Sequence, residues 1–293
     1  MLLCCLLVIA CLVPARILAD NYIPPQTLEV QTPSYKADFT FFQQSLGQYR
    51  YRVSWGGIGA GYITVNILQF DKKFVVSTEV RTNSFVDIFY KLRYQAMGAL
   101  STQTLLPDKT EVVYRENSRE KRAGLLFRSD GKVQTFYWRK GHNAEELTFD
   151  PKNMMLDPFS AAFLARSLPW DDNVRRTFDT FNGKSRYLIS LESIGEDVVR
   201  VNGIERPVWV ISPTVEKLTE KQEGTKPKLR EAKIFLTKDA AREIVKIESE
   251  VFVGTVVTEL TKFTPISKVT QAKLLESEQF LKMADLSFSS QHS

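Results

Sequence analysis

Apolar residues recur at every second position through most of this chain. Tyr51, Val53 and Trp55 alternate with Arg50, Arg52 and Ser54, and Ile63, Val65 and Ile67 alternate with Thr64, Asn66 and Leu68. Such alternation puts successive side chains on opposite faces of a strand. Between the two runs lies Gly56-Gly57-Ile58-Gly59-Ala60-Gly61. A dinucleotide-binding loop would need Gly-x-Gly-x-x-Gly opening a helix. Tyr62 stands in the third glycine place, and β-branched residues follow it. The stretch therefore predicts a β-hairpin or a sharp bulged corner, with Gly57, Gly59 and Gly61 as its structural residues.

The same period continues in residues 74–80, 92–104, 111–114, 124–128 and 132–139, with Ser129-Asp130-Gly131 as a hairpin turn. It resumes in residues 177–181, 185–194, 198–201 and 207–211, punctuated by Asn182-Gly183 and Asn202-Gly203, and closes with 232–236, 243–251 and 254–263. Residues 38–46 fit either a short helix or a first strand.

Two segments change period. Phe85, Val86, Phe89 and Tyr90 follow Ser84 at helical spacing, which predicts a short helix capped by Ser84. Asp157 precedes Pro158, Phe159, Ala162 and Phe163, which predicts a second helix capped by Asp157 with proline in its first turn. The fold class expected is mainly β, a curled antiparallel half-barrel or barrel of about 11–12 strands, with the two short helices packed as plug or lid.

The ends of the chain read differently. Residues 2–13 are an apolar run of twelve, too short for a membrane-spanning helix, and Ile17-Leu18-Ala19 suits signal-peptidase cleavage. The expectation is a signal peptide over 1–19, an extended leader over 20–37, a β domain over 38–264 and a weakly helical tail over 265–293. No lysine or arginine precedes the apolar run. Val8-Ile9-Ala10-Cys11 gives the alternative of a lipid-bearing Cys11. All three cysteines, Cys4, Cys5 and Cys11, lie in this segment, so the remainder offers no disulfide or thiolate chemistry. Together these features predict export to the periplasm with no transmembrane segment in the mature chain.

The landmarks taken in order resemble a bacterial exported family known as domain of unknown function 3108, over about residues 45–262. They are Tyr51/Val53/Trp55, Gly57-Ile58-Gly59-Ala60-Gly61, Val86-Asp87-Ile88-Phe89-Tyr90, Asp157-Pro158-Phe159-Ser160-Ala161, and Ile247-Glu248-Ser249 with Gly254. The resemblance implies an exported β protein and names no activity. By fold-level analogy it is similar to the half-barrels of periplasmic lipoprotein carriers, in which a curved sheet holds acyl chains.

Charge and chemistry narrow the function classes. A net charge of +5, from 39 basic and 34 acidic residues, is spread along the chain, without the clustered basic face of a nucleic-acid binder. The densest run, residues 115–122, mixes signs and reads as exposed strand ends or a solvated loop. Histidine occurs only at His142 and His292, so neither a general base nor a metal cluster is offered. Ser160 lacks a Gly-x-Ser-x-Gly elbow. Asp87 and Asp157 stand at helix starts, where capping accounts for both.

No catalytic residue, cofactor or metal is therefore expected. The aromatics remain. Trp55, Phe85, Phe89, Tyr90, Phe159 and Phe163 are the expected lining of an apolar cavity inside the sheet. The function expected is non-enzymatic binding of an apolar or lipid-like ligand. The alternative is an envelope assembly or scaffold protein that binds a protein partner through the charged loop 215–229 and the tail.

Overall fold

The computed structural model describes residues 30–218, 231–251 and 254–266. The expected signal peptide, Cys11, residues 219–229 of the charged loop, and the tail beyond 266 lie outside the described residues.

Among the described residues, fifteen strands form one sheet. The first meander comprises β1 (Gly47–Trp55), β2 (Ile58–Phe70), β3 (Lys73–Thr82), β4 (Leu92–Ser101), β5 (Pro107–Glu116), β6 (Arg119–Phe127), β7 (Val133–Arg139) and β8 (Glu145–Phe149). The second comprises β9 (Met155–Leu156), β10 (Arg175–Phe181), β11 (Arg186–Val201), β12 (Ile204–Lys217), β13 (Ala232–Thr237), β14 (Ile244–Glu250) and β15 (Thr255–Pro265). Helix α1 (Ser84–Asp87) joins β3 to β4, and α2 (Pro158–Ser167) joins β9 to β10. Pairing of β1 with β15 fuses the meanders, so the order runs β8 to β1, then β15 down to β9. Every pairing is antiparallel except β9 with β10.

The sheet curls without closing. Across the gap between its two edges, the Phe149 and Phe181 rings meet edge-on with centroids 5.4 Å apart, and the Thr135 hydroxyl donates to the Gly183 carbonyl at 2.9 Å. Inward-facing residues of nearly all strands form one core, including Tyr49, Ile63, Val76, Leu92, Ile189, Val208 and Ile234.

The strand count exceeds the 11–12 expected. β8 and β9 are short strands in a stretch whose sequence showed no clear alternation. By contrast, residues 185–194 and 198–201, expected as two strands, are one. Gly195, at φ +136°, makes a bulge that keeps β11 paired to β12 on both sides of it. The segment 38–46 is neither helix nor strand. It runs across one end of the barrel, where Phe42 is buried and the Gln43 amide donates to the Ala240 carbonyl at 2.7 Å.

The corner expected at Gly57, Gly59 and Gly61 is a tight β1–β2 hairpin. Gly56 and Gly57 make its turn at φ +55° and +84°, and a register shift follows opposite Val53 and Ser54. The two helices differ in role. α2 is buried along all ten residues and fills the barrel, so it is the plug. α1 is a single exposed turn at the rim with no buried residue, and it covers nothing.

Candidate functional site

The interior is organised by α2. Its cap is as expected. Asp157 Oδ1 accepts from the Ser160 amide at 2.8 Å, while the Asp157 amide donates back to Ser160 Oγ at 3.1 Å, a reciprocal capping box. The Thr110 hydroxyl on β5 donates to the second carboxylate oxygen, so the cap also ties the helix to the wall. Phe159 and Phe163 point from this helix into the sheet and are completely buried. Gly98 on β4 makes room for the first. A Cβ there would lie 2.5 Å from the Phe159 ring.

The far end of α2 is held by Arg166, which is buried. Its Nε donates to the Arg242 carbonyl at 2.7 Å, and its other nitrogens donate to Gln44 Oε1 and the Ala241 carbonyl at 2.8 Å each. The guanidinium also lies over Phe42 and Phe163 at 5.2 and 5.4 Å. Burial lowers its pKa, yet every bond it makes here goes to a carbonyl or amide oxygen. Arg242 answers by donating to the Leu168 carbonyl at 2.8 Å. This clasp of two arginines, which no motif announced, locks the helix, the segment 38–46 and the β13–β14 turn together.

Little space remains inside. An apolar void beside α2, lined by Ala161, Ala165, Trp170, Phe178 and Leu191, measures about 10 Å³, about the size of one water. The cavity lining expected from the sequence is therefore not assembled. Phe159 and Phe163 are core, and Tyr90 is half-buried with its hydroxyl 3.4 Å from that of Tyr114. The remaining three lie outside: Trp55 is 48% exposed, Phe85 57% and Phe89 76%.

Those three belong to a different assembly. Trp55 and Ile58 (63% exposed) flank the β1–β2 turn, and Phe85, Ile88 (73%) and Phe89 stand on α1 and the bend after it. The two turns are neighbours because Asn83 joins them. Its amide donates to the Ala60 carbonyl at 3.0 Å, and its side-chain nitrogen donates to the Gly59 carbonyl at 2.6 Å. Asn83 is also the true cap of α1, since its Oδ1 accepts from the Val86 amide at 2.9 Å. Ser84, expected in that role, is the first helical residue. The Phe85 and Phe89 rings meet edge-on at 6.1 Å. An apolar cluster thus projects from one end of the barrel.

Beneath it, Asp87 is a structural anion. Arg93 donates to both of its oxygens, at 3.0 and 2.5 Å, and the Thr82 hydroxyl donates at 2.5 Å. The Arg93 bonds hold its pKa down to about 2, so it cannot take up a proton at neutral pH. A second anchor, also unforeseen, is the buried pair of Asp179 with Arg186 Nε at 2.8 Å, joined by Asn153 Nδ2 at 2.9 Å. It sits where β9 and β10 meet the leader. His142 is exposed in the β7–β8 turn beside Arg139, and Ser160 is spent in the capping box. Among the described residues, no three His, Cys, Asp or Glu side chains are grouped to hold a metal, and no helix is long and apolar enough to cross a membrane.

Comparison with solved structures finds a β-barrel-like protein of domain of unknown function DUF1849 from Brucella abortus, at 9% identity and a TM-score of 0.56. The match covers 77% of this chain and all of the other. A protein with a YmcC-like fold from Bacteroides fragilis also matches at 9% identity, over 76% of this chain and 98% of the other, with a TM-score of only 0.34. The first match supports the curled β architecture and says nothing of activity. Comparison with curated proteins finds no significant match. The family profile described as protein of unknown function (DUF3108) matches residues 50–261, well over half of the chain, and to that family the chain belongs.

Proposed function

We propose that this is a non-enzymatic, exported envelope protein that works by docking an apolar partner on the outside of one barrel end. The observation that carries the reading is the contrast between the two apolar regions. Inside, α2 is buried along its whole length, and the apolar void beside it measures about 10 Å³. Outside, Trp55, Ile58, Phe85, Ile88 and Phe89 stand half to three-quarters exposed on adjoining turns. Surface apolar residues grouped in this way, at a cost in hydration, mark interaction sites. The buried helix favours moving the apolar or lipid-like partner from the interior to the rim. Export rests on the N-terminal apolar run and on Ile17-Leu18-Ala19 after it.

Site-specific crosslinking tests the reading. A photo-reactive phenylalanine analogue at Ile88 should yield adducts in intact cells, and the same analogue at Phe70, exposed at the opposite end, should not. Equal labelling at both ends, or none at Ile88, would overturn it.

A further inference from the structure

Immediately behind the apolar end, the outer face of the sheet carries a row of arginines. The register places Arg52 opposite Tyr62, Tyr62 opposite Arg81, Arg81 opposite Arg93, and Arg93 opposite Arg115, across five consecutive strands. Directly opposed like charges weaken a sheet. The row persists here because acidic side chains shield each member. Arg52 meets Glu259 at 3.0 Å, Arg81 meets Glu79 at 3.7 Å, Arg93 meets Asp87 at 2.5 Å and Arg115 meets Glu120 at 3.1 Å. Arg52, Arg81 and Arg115 remain 46–59% exposed, and ion pairs at such exposure contribute little. Phosphate oxygens can therefore replace those carboxylates or share the guanidinium donors with them.

The spacing fits one kind of partner. Arg52 lies three residues behind Trp55, a distance of about 10 Å along a strand. An apolar surface that rests in a bilayer interface sinks about 5–10 Å, with basic and aromatic residues level with the headgroups. Trp55, Ile58, Phe85, Ile88 and Phe89 supply the sinking part. Arg52, Tyr62 and Arg81 supply a belt at the matching height. Lys91, exposed between the apolar bend and β4, extends the positive side.

We infer that the docking partner is an anionic phospholipid bilayer. The apolar end enters the interface, and the arginine row engages the lipid phosphates. This inference rests on the docking reading above and specifies its partner. A protein partner would need shape complementarity at the tip, but it would not require a cationic band about 10 Å behind it.

Vesicle co-sedimentation tests it, using the whole chain and vesicles of phosphatidylcholine with or without phosphatidylglycerol. Variants are compared on the same chain, so any contribution of residues 1–29 is common to all. Binding should require phosphatidylglycerol and weaken as salt rises. Replacing Phe85, Ile88 and Phe89 together by Ser should reduce binding more than tenfold. Arg52→Gln and Arg81→Gln should each reduce it up to about fivefold. The melting temperature should hold in all of these, since every substituted side chain is exposed.

Binding to both vesicle types alike, no binding to either, or binding indifferent to the Ser substitutions would overturn the inference. Crosslinking at Ile88 to a protein, with no vesicle binding, would sink the bilayer and leave the docking reading intact. Silence in both experiments would sink both.

Discussion

Trp55 shows at the level of a single residue what alternation conveys and what it does not. Tyr49, Tyr51, Val53 and Trp55 share the inner face of β1, and the first two are almost completely buried. Val53 is half-buried, and Trp55 emerges past the rim. Period fixes the face of a residue and is blind to its height on the barrel. Alternation therefore does not separate an interior aromatic from one at the rim.

Asp87 was legible as a helix-start carboxylate, but its partner Arg93 was not, because β4 had first to return beside the helix. Its depressed pKa gives a prediction with a definite sign. A carboxylate whose folded pKa lies near 2 adds stability fully present above its unfolded value near 3.8, and that stability is lost as pH falls through about 2. The melting temperature should drop between about pH 4 and pH 2, and Asp87→Asn should flatten that part of the profile. An unchanged profile would show that the pair is not formed.

The corner glycines separate in the same way. A Cβ on Gly61 would sit 2.3 Å from the Arg81 carbonyl oxygen, whereas Gly59 faces open space at an ordinary φ. Gly61→Ala should cost roughly 1–3 kcal/mol or prevent folding, and Gly59→Ala should be neutral or slightly stabilising, as urea titration would show.

Among elements, α2 was the most readable and α1 the least. Asp157-Pro158 is a start signal that needs no tertiary context, and the capping box confirms it to the residue. The depth of α2 was not readable, because its buried surface is matched by a gap in β4 that only Gly98 provides. Gly98→Ala should therefore lower stability by about 1–3 kcal/mol in urea titration. Combining it with Phe159→Leu should recover part of the loss, since the two sites share one space. Additive losses would contradict this packing. The segment 84–90 has helical spacing but stops after one turn, so Tyr90 packs against the core while Phe85 and Phe89 stay exposed. Residues 145–156 failed for the opposite reason: β8 and β9 are held by tertiary pairing, with too few residues for a period to show.

The whole molecule is an open curled sheet whose interior belongs to its own helix. Curling was implied by the number of antiparallel strands, since so many cannot bury one face while flat. Filling was not implied, because aromatics of a core and of a cavity wall read alike in sequence. The arginine row was invisible for a related reason. Arg52, Arg81, Arg93 and Arg115 are scattered over 64 positions and become neighbours only through register.

The proposed docking surface lies outside, and α2 is buried in the interior. Hydrogen exchange with and without phosphatidylglycerol vesicles tests that division most directly. Protection should rise in residues 55–60 and 84–91 while amides of α2 keep their rates. Faster exchange in α2, as the plug yields to admit an acyl chain, with no change at the rim, would contradict it.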